Sequence, residues 1–114
     1  MADCLFCGIA AGEIPATRVL QSQRTIAFQD INPQAPVHIL VIPRQHLENL
    51  AEVAEAGDGL LDEIAAQAAL VASNSGVAET GYRVVFNTGD DGGQEVHHVH
   101  AHVLGGRPMS WPPG

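Results

Sequence analysis

The order of apolar and polar residues along the chain predicts five strands. The segment 14–33 predicts two short strands with a turn near 22–24, and the β-branched run 37–43 predicts a central strand. The segments 82–89 and 99–106 predict two more. Since the strands do not alternate with helices, we expect them to pair as an antiparallel sheet.

One long segment has helical periodicity instead. Within 57–76, apolar residues recur three or four positions apart, namely Leu61, Ile64, Ala68 and Val71. Asp58 can cap the start of this helix, and Gly76 suits its end. A short helical turn is expected within 1–12. The prediction is an α+β fold, an antiparallel sheet of about five strands with one long and one short helix.

The composition describes an acidic globular protein. The 114 residues are 46% hydrophobic and 16% charged, which fits one domain spanning 1–114. With a net charge of −8 and only five basic residues, the chain has no cation cluster for a nucleic-acid backbone, and no nucleic-acid partner is expected. Without a basic leader or an apolar run of about 20 residues, we expect a cytoplasmic protein that does not bind membranes.

Four of the six histidines fall within six positions of the stretch QEVHHVHAHVLGG, 94–106. In a strand, alternate side chains lie on one face, which places His98, His100 and His102 together and His97 on the other side. Three neighbouring imidazoles repel one another unless most are neutral, so the cluster indicates a chemical site rather than ordinary surface. A single metal ion held by all three is the weaker alternative, because a strand sets its ligands in a row.

A glycine-rich segment, FNTGDDGGQE, lies directly before the histidines. Such a turn can aim successive N–H groups at an anion, although glycine turns are also common without one. Beside the histidines, the segment suggests a phosphate held by backbone donors and attacked by an imidazole.

The two cysteines, Cys4 and Cys7, are three positions apart. In a cytosolic protein this spacing indicates metal or redox chemistry, and two free thiols are the structural alternative. A thioredoxin-like site is disfavoured because the chain has no βαβ pattern around the pair.

The motif HVHAHVL at 98–104 matches the pattern His-φ-His-φ-His-φ-φ, in which φ is apolar, and the chain resembles the histidine-triad (HIT) superfamily. The segments DINPQAPVHILVIPRQH and HVLGGRPMSWPPG resemble its Hint branch, the histidine-triad nucleotide-binding proteins. This resemblance implies the HIT-like fold and a homodimer whose sheets join. It also implies hydrolysis of purine nucleoside 5′-monophosphate derivatives (adenosine phosphoramidates and aminoacyl adenylates) with no catalytic cofactor.

The resemblance assigns catalytic roles to four histidines. His100 would be the nucleophile that forms a covalent nucleotidyl-histidine. His102 would contact the phosphate or assist the leaving group, while His98 and His38 would complete and orient the triad. The other nitrogen of His100 would have to hold its proton against an acceptor such as a backbone carbonyl.

The resemblance also implies a nucleotide-binding set. Asp30 would bind the ribose hydroxyls. The positions near the phosphate are Asn87, Gly93 and Gln94, and those of the base pocket are Phe6, Ile9, Phe28 and Ile31. Ordinary core packing is the alternative for the four apolar residues.

Some histidine-triad proteins begin with paired cysteines, and the resemblance to them implies a structural zinc ion. The matching ligands are Cys4, Cys7, His46 and His98. Two cysteines and two histidines make a closed tetrahedral set, which is typical of structural rather than catalytic zinc. Such a site would tie the N-terminus to the catalytic strand.

Two positions depart from the family pattern, and two other functions remain open. Glu95 stands where many Hint proteins have serine, and His97 stands where an aromatic residue is common. One alternative is a zinc-stapled, dimeric nucleotide- or partner-binding protein with vestigial catalysis. The other is a dinucleoside polyphosphate hydrolase or a nucleotidyl transferase, although the transferases have glutamine in place of the last triad histidine.

Overall fold

The computed structural model describes residues 4–114. It contains the five strands β1 Arg18–Gln21, β2 Thr25–Gln29, β3 Val37–Pro43, β4 Tyr82–Val85 and β5 Ala101–Gly105. They form one antiparallel sheet in the order β1-β2-β3-β5-β4, which places β3 at its centre. The helices are α1 Leu5–Ala10, α2 Leu50–Ala56 and α3 Leu60–Asn74. The predicted α+β fold with a five-stranded antiparallel sheet is confirmed.

The helices differ from the prediction in two respects. The short helix α2 was not predicted, because only Val53 of its seven residues is buried and no periodic apolar face marks it. The long helix begins at Leu60 with Gly59 as the N-cap residue, so the assignment of Asp58 as the cap was wrong by one position. The carboxylate of Asp58 still accepts the N–H of Leu60 at 3.3 Å. The predicted short helix is α1, and residues 1–3 of that prediction lie outside the described residues.

The strand that carries the histidine motif is also shorter than predicted. Regular β5 begins at Ala101, so His98 and His100 lie in the segment leading into it, and β4 ends at Val85 rather than at residue 89. The alternation of faces nevertheless continues through this segment. Val99, Ala101 and Val103 pack in the core beneath α3, whereas the histidines face the side covered by α1.

Two apolar clusters therefore enclose the sheet. The α3 side is formed mainly by aliphatic side chains of α3, β3 and β5. The α1 side is formed by Phe6, Ile9, Ile26, Phe28, Leu40 and Ile42. Within residues 4–114, no helix is both long and apolar enough to cross a membrane.

Candidate active site

Strand pairing brings the histidines of two segments together on the α1 side of the sheet. In the antiparallel pair β3–β5, His38 lies opposite Leu104, and Leu40 lies opposite His102. This diagonal relation lets Nε2 of His38 approach Nδ1 of His102 to 2.9 Å. The ring of His100 lies next in the row, with its centroid 4.9 Å from that of His102. The site is therefore a row of imidazoles whose order is set by sheet register.

The tautomer of His100 follows from a backbone contact. Its Nδ1 lies 2.8 Å from the carbonyl oxygen of His98. A carbonyl can only accept, so Nδ1 carries the proton and Nε2 keeps its lone pair. Burial lowers the pKa of His100, against the opposing effects of its hydrogen bond to the His98 carbonyl and of the Asp30 charge. The edge-to-face contact with Phe6, at 5.0 Å between centroids, holds the ring from the other side. The result is a neutral imidazole near neutral pH with its nucleophilic nitrogen free.

The tautomers of His38 and His102 are linked in the same way. The backbone N–H of Gln34 donates to Nδ1 of His38 at 3.0 Å, so neutral His38 carries its proton on Nε2. That proton faces Nδ1 of His102, at 2.9 Å, and Oδ2 of Asp30, at 3.3 Å. Nδ1 of His102 must then be the unprotonated nitrogen, and its proton sits on Nε2. Among the side chains of residues 4–114, Nε2 of His102 is the one buried polar atom that has no hydrogen-bond partner.

The surroundings keep both of these histidines neutral. Burial, together with the neighbouring His100 and His38, lowers the pKa of His102 from 6.5 to about 4. Burial also lowers the pKa of His38, although the charge of Asp30 acts in the opposite direction. An unpartnered N–H in a buried position is a donor available to a ligand oxygen.

Asp30, His38 and His102 also lie close enough to be considered as metal ligands, with one donor atom of each within 4.8 Å of the others. The hydrogen bond from Gln34 argues against that interpretation. A metal ion on Nε2 of His38 would force the proton onto Nδ1, where it would meet the Gln34 N–H. The cluster is therefore better described as a hydrogen-bonded histidine pair with a carboxylate.

A second cluster has the chemistry of a metal site. It contains Sγ of Cys4 and Cys7 and Nδ1 of His46 and His98, all within 4.8 Å of one another. The Sγ–Nδ1 distances are 3.5 Å for Cys4–His98, 3.5 Å for Cys7–His98 and 3.2 Å for Cys7–His46. Tetrahedral zinc with sulfur at about 2.3 Å and nitrogen at about 2.0 Å requires sulfur–nitrogen separations of roughly 3.5 Å. The four predicted ligands are thus brought together in a set that fits zinc.

Two local features prepare this cluster. Cys4 is the N-cap of α1, and its sulfur accepts the N–H of Cys7 at 3.3 Å, which holds the two cysteines close together beside His98. The ring of His98 is fully buried, and its Nε2 donates to the carbonyl of Pro43 at 2.8 Å. Because the proton is held on Nε2, the lone pair of His98 is on Nδ1, which faces the thiols. His98 therefore joins the two clusters, since its carbonyl accepts from His100.

The glycine-rich loop before the histidines has a defined shape. A Cβ on Gly92 would clash with the carbonyl oxygen of Thr88, and Gly93 has φ +78°. The amide of Gln94 is buried and used within the protein: its oxygen accepts the N–H of Gly89 at 3.0 Å and its nitrogen donates to the carbonyl of Glu48 at 2.7 Å. Gln94 therefore ties the loop to the segment before α2. Asn87 is half-buried and Gly93 is exposed, and the assignment of Asn87, Gly93 and Gln94 to the phosphate stays a prediction.

The predicted base-pocket residues do not all lie together. Phe6, Ile9 and Phe28 are buried in the cluster beneath α1, with the rings of Phe6 and Phe28 5.5 Å apart. Ile31 is instead fully exposed in the turn after β2. Asp30 lies beside the histidines, where its Oδ1 accepts the N–H of Asn32 at 2.8 Å. The ribose and base assignments stay predictions.

The two departures from the family pattern lie outside the row of imidazoles. Glu95 is exposed. His97 is also exposed, and its Nδ1 lies 2.6 Å from the carboxylate of Glu48.

The sequence could not indicate the backbone groups that set the tautomers, namely the Gln34 N–H and the Pro43 carbonyl, because any residue type can supply them.

The α+β fold, with a row of neutral histidines on its antiparallel sheet and a Cys₂His₂ cluster beside them, defines the class of histidine-triad proteins. The sequence model of the HIT domain matches residues 11–109, and the chain belongs to this family. It is 46% identical to an Arabidopsis thaliana protein named adenylylsulfatase HINT1, over 96% of this chain and 76% of the relative. It is 47% identical to a Zea mays protein named 14 kDa zinc-binding protein, over 96% of this chain and 87% of the relative. The structure of a HIT family hydrolase from Legionella pneumophila is 51% identical, with a TM-score of 0.94, over 98% of this chain and all of that one.

Proposed function

We propose that this protein hydrolyses nucleoside 5′-monophosphate derivatives, namely adenosine phosphoramidates and aminoacyl adenylates, through a covalent intermediate on His100. The observation that carries the proposal is the hydrogen bond from Nδ1 of His100 to the carbonyl of His98, which leaves Nε2 with a lone pair. The adenylylsulfatase name of one relative and the hydrolase name of a solved neighbour support the same reaction class.

The reaction divides into two displacements at phosphorus. Nε2 of His100 forms a bond to the α-phosphorus as the bond to the leaving group breaks. The leaving group departs with the bonding electrons: an amine takes up a proton from solvent, whereas an acyl group leaves as the carboxylate anion. Water then attacks the same phosphorus and releases a proton to solvent, the phosphorus–nitrogen bond breaks, and the nucleoside monophosphate is released with Nε2 again unprotonated. The N–H on Nε2 of His102 donates to a phosphoryl oxygen, and Asp30 accepts from the ribose hydroxyls.

The test is release of AMP from an adenosine 5′-phosphoramidate and from lysyl adenylate. Replacing His100 by asparagine should lower turnover by at least about a thousandfold, since the nucleophile is removed. His97→Asn is the matched control, because His97 is an exposed histidine outside the row. Turnover that survives His100→Asn would refute the proposal. Tight nucleotide binding by a wild-type protein that releases no AMP would favour the binding-protein alternative.

We also propose that zinc occupies the cluster of Cys4, Cys7, His46 and His98 as a structural ion. The donor set, the sulfur–nitrogen separations and the zinc-binding name of the maize relative support it. When bound, zinc would supply a cross-link between α1 and the segment before β5. Protein purified without added metal should contain one zinc per chain. A Cys7→Ser variant should lose it and melt at a lower temperature. Both thiols titrating freely in metal-free native protein would refute the site.

We propose further that the residues 1–114 form one HIT domain that pairs with a second copy through β4. This strand is at the edge of the sheet, so one row of its backbone N–H and C=O groups has no partner strand. Two large side chains on it, Tyr82 and Val84, are exposed. Sedimentation should give a dimer for the wild type and a monomer for Val84→Glu. A wild-type monomer at micromolar concentration would contradict the pairing.

A further inference from the structure

Arg107, in the tail after β5, holds the loop that connects β2 to β3. Its Nε and Nη2 donate to the carbonyl of Gln34 at 3.2 and 3.0 Å, while Nη1 donates to the carbonyl of Pro108 at 3.0 Å. The neighbouring Gly106 lies against Pro36, and a Cβ on Gly106 would stand only 2.9 Å from the proline ring. The tail is thus seated on this loop at two adjacent points.

The residue that Arg107 holds is the one that sets the histidine tautomers. Gln34 presents its carbonyl to the guanidinium and its own N–H to Nδ1 of His38, at 3.0 Å. That N–H keeps the proton of His38 on Nε2, facing Nδ1 of His102. The proton of His102 is then on Nε2, the buried atom without a partner. A continuous series of contacts joins an exposed arginine to the N–H that the proposed function assigns to a phosphoryl oxygen.

We propose that Arg107 is a positioning residue that keeps His102 in its donor tautomer by fixing Gln34. The proposal rests on the function proposed above, because it assigns the Nε2 proton of His102 to a phosphoryl oxygen of the substrate. No direct contact between Arg107 and the nucleotide is required. The guanidinium acts through the orientation of one peptide group.

Loss of the Arg107 contact with Gln34 would allow the opposite tautomers of His38 and His102 to form. If the Gln34 N–H turns away, Nδ1 of His38 can take the proton, and its Nε2 can accept from Nδ1–H of His102. Nε2 of His102 would then present a lone pair to the phosphoryl oxygen, which is repulsive instead of attractive. The carboxylate of Asp30, 3.3 Å from Nε2 of His38, opposes this change because it also favours a proton there. Removal of Arg107 should therefore shift the population of tautomers rather than invert it.

The test measures protonation of the histidine ring nitrogens by ¹⁵N NMR beside hydrolysis of an adenosine phosphoramidate. In the wild type, Nδ1 of His38 and Nδ1 of His102 should be unprotonated. In Arg107→Ala both nitrogens should show partial protonation, and kcat should fall in proportion to the lost fraction of the donor tautomer, by up to about twofold, with a smaller change in KM. Arg107→Lys, which can donate to the same carbonyl from one ammonium group, should recover part of both effects.

Arg24→Ala is the matched control, since Arg24 also donates to a backbone carbonyl, that of Asp58, but lies in the β1–β2 turn. This substitution should change neither the protonation of the His38 and His102 ring nitrogens nor kcat. An unaltered His38 and His102 tautomer in a folded Arg107→Ala protein would overturn the proposal, as would a wild-type protein with the proton on Nδ1 of His38. If the wild type hydrolyses no nucleotide derivative, the proposed function fails, whereas the tautomer measurement still decides the role of Arg107.

Discussion

The buried histidine row should lower the stability of the folded protein in acid, and His102 should account for a measurable part of this loss in the free energy of unfolding. Its pKa is lowered from 6.5 to about 4 by burial and by His100 and His38. Between these values the unfolded chain binds a proton at this residue that the folded chain does not. The free energy of unfolding therefore falls as the pH decreases from 6.5 toward 4.

The size of this effect follows from the two pKa values. At pH 7 both forms are almost unprotonated, so His102 has little influence. At pH 5 the unfolded state gains roughly 2 kcal/mol from protonating this residue, which the folded state does not. The full difference of about 2.5 pKa units corresponds to about 3 kcal/mol, reached only below pH 4.

The assay is urea unfolding of the wild type and of His102→Asn at pH 7 and pH 5. The substitution removes the titrating group, so the variant should lose about 2 kcal/mol less than the wild type over this interval. His97→Asn is measured beside it as the control for replacing an exposed histidine outside the row. Equal pH dependence for the wild type and His102→Asn would refute the assignment of a buried, neutral His102.

Three further outcomes are expected. The rate of adenosine phosphoramidate hydrolysis should stay constant to somewhat below pH 6.5 and decline at lower pH, because burial lowers the pKa of His100 and the protonated ring has no lone pair. A rate that rises steadily down to pH 4 would contradict this. Gly92→Ala should raise KM several-fold while α3 stays folded by circular dichroism, because its Cβ would displace the Thr88 carbonyl; unchanged KM would disconnect the loop from the substrate. Glu63→Leu should lower the free energy of unfolding by about 1–3 kcal/mol, since its carboxylate accepts from the Ser22 hydroxyl and the Arg24 N–H; a loss below about 0.5 kcal/mol in urea unfolding would contradict this.

Much of the fold could be predicted because its main elements carry strong local signals. The run 37–43 is β-branched and buried along most of its length, and it is the central strand. The helix α2 carried no such signal, since its start depends on the side chain of Asn49 accepting the N–H of Glu52. Strand ends were also missed. The segment 98–100 has the side-chain alternation of a strand, but its backbone does not pair regularly until Ala101.

The candidate site was predictable in its residue types but not in its internal contacts. The spacing of the histidines and the family resemblance indicated His98, His100 and His102, and the resemblance indicated the Cys₂His₂ set that the fold brings together. The contacts that determine each tautomer come from the His98 and Pro43 carbonyls and the Gln34 N–H. Such groups are present at every residue, so only the folded backbone reveals which ones face an imidazole.

The central claim is that His100, neutral and protonated on Nδ1, accepts the nucleotidyl group on Nε2. The most direct measurement is rapid acid-free quenching of the protein with excess adenosine phosphoramidate, followed by mass spectrometry of the proteolytic peptides. The account predicts one adenylyl group bound to His100, which His100→Asn abolishes. Steady AMP release with no adduct on that peptide, or with the adduct on another histidine, would contradict it.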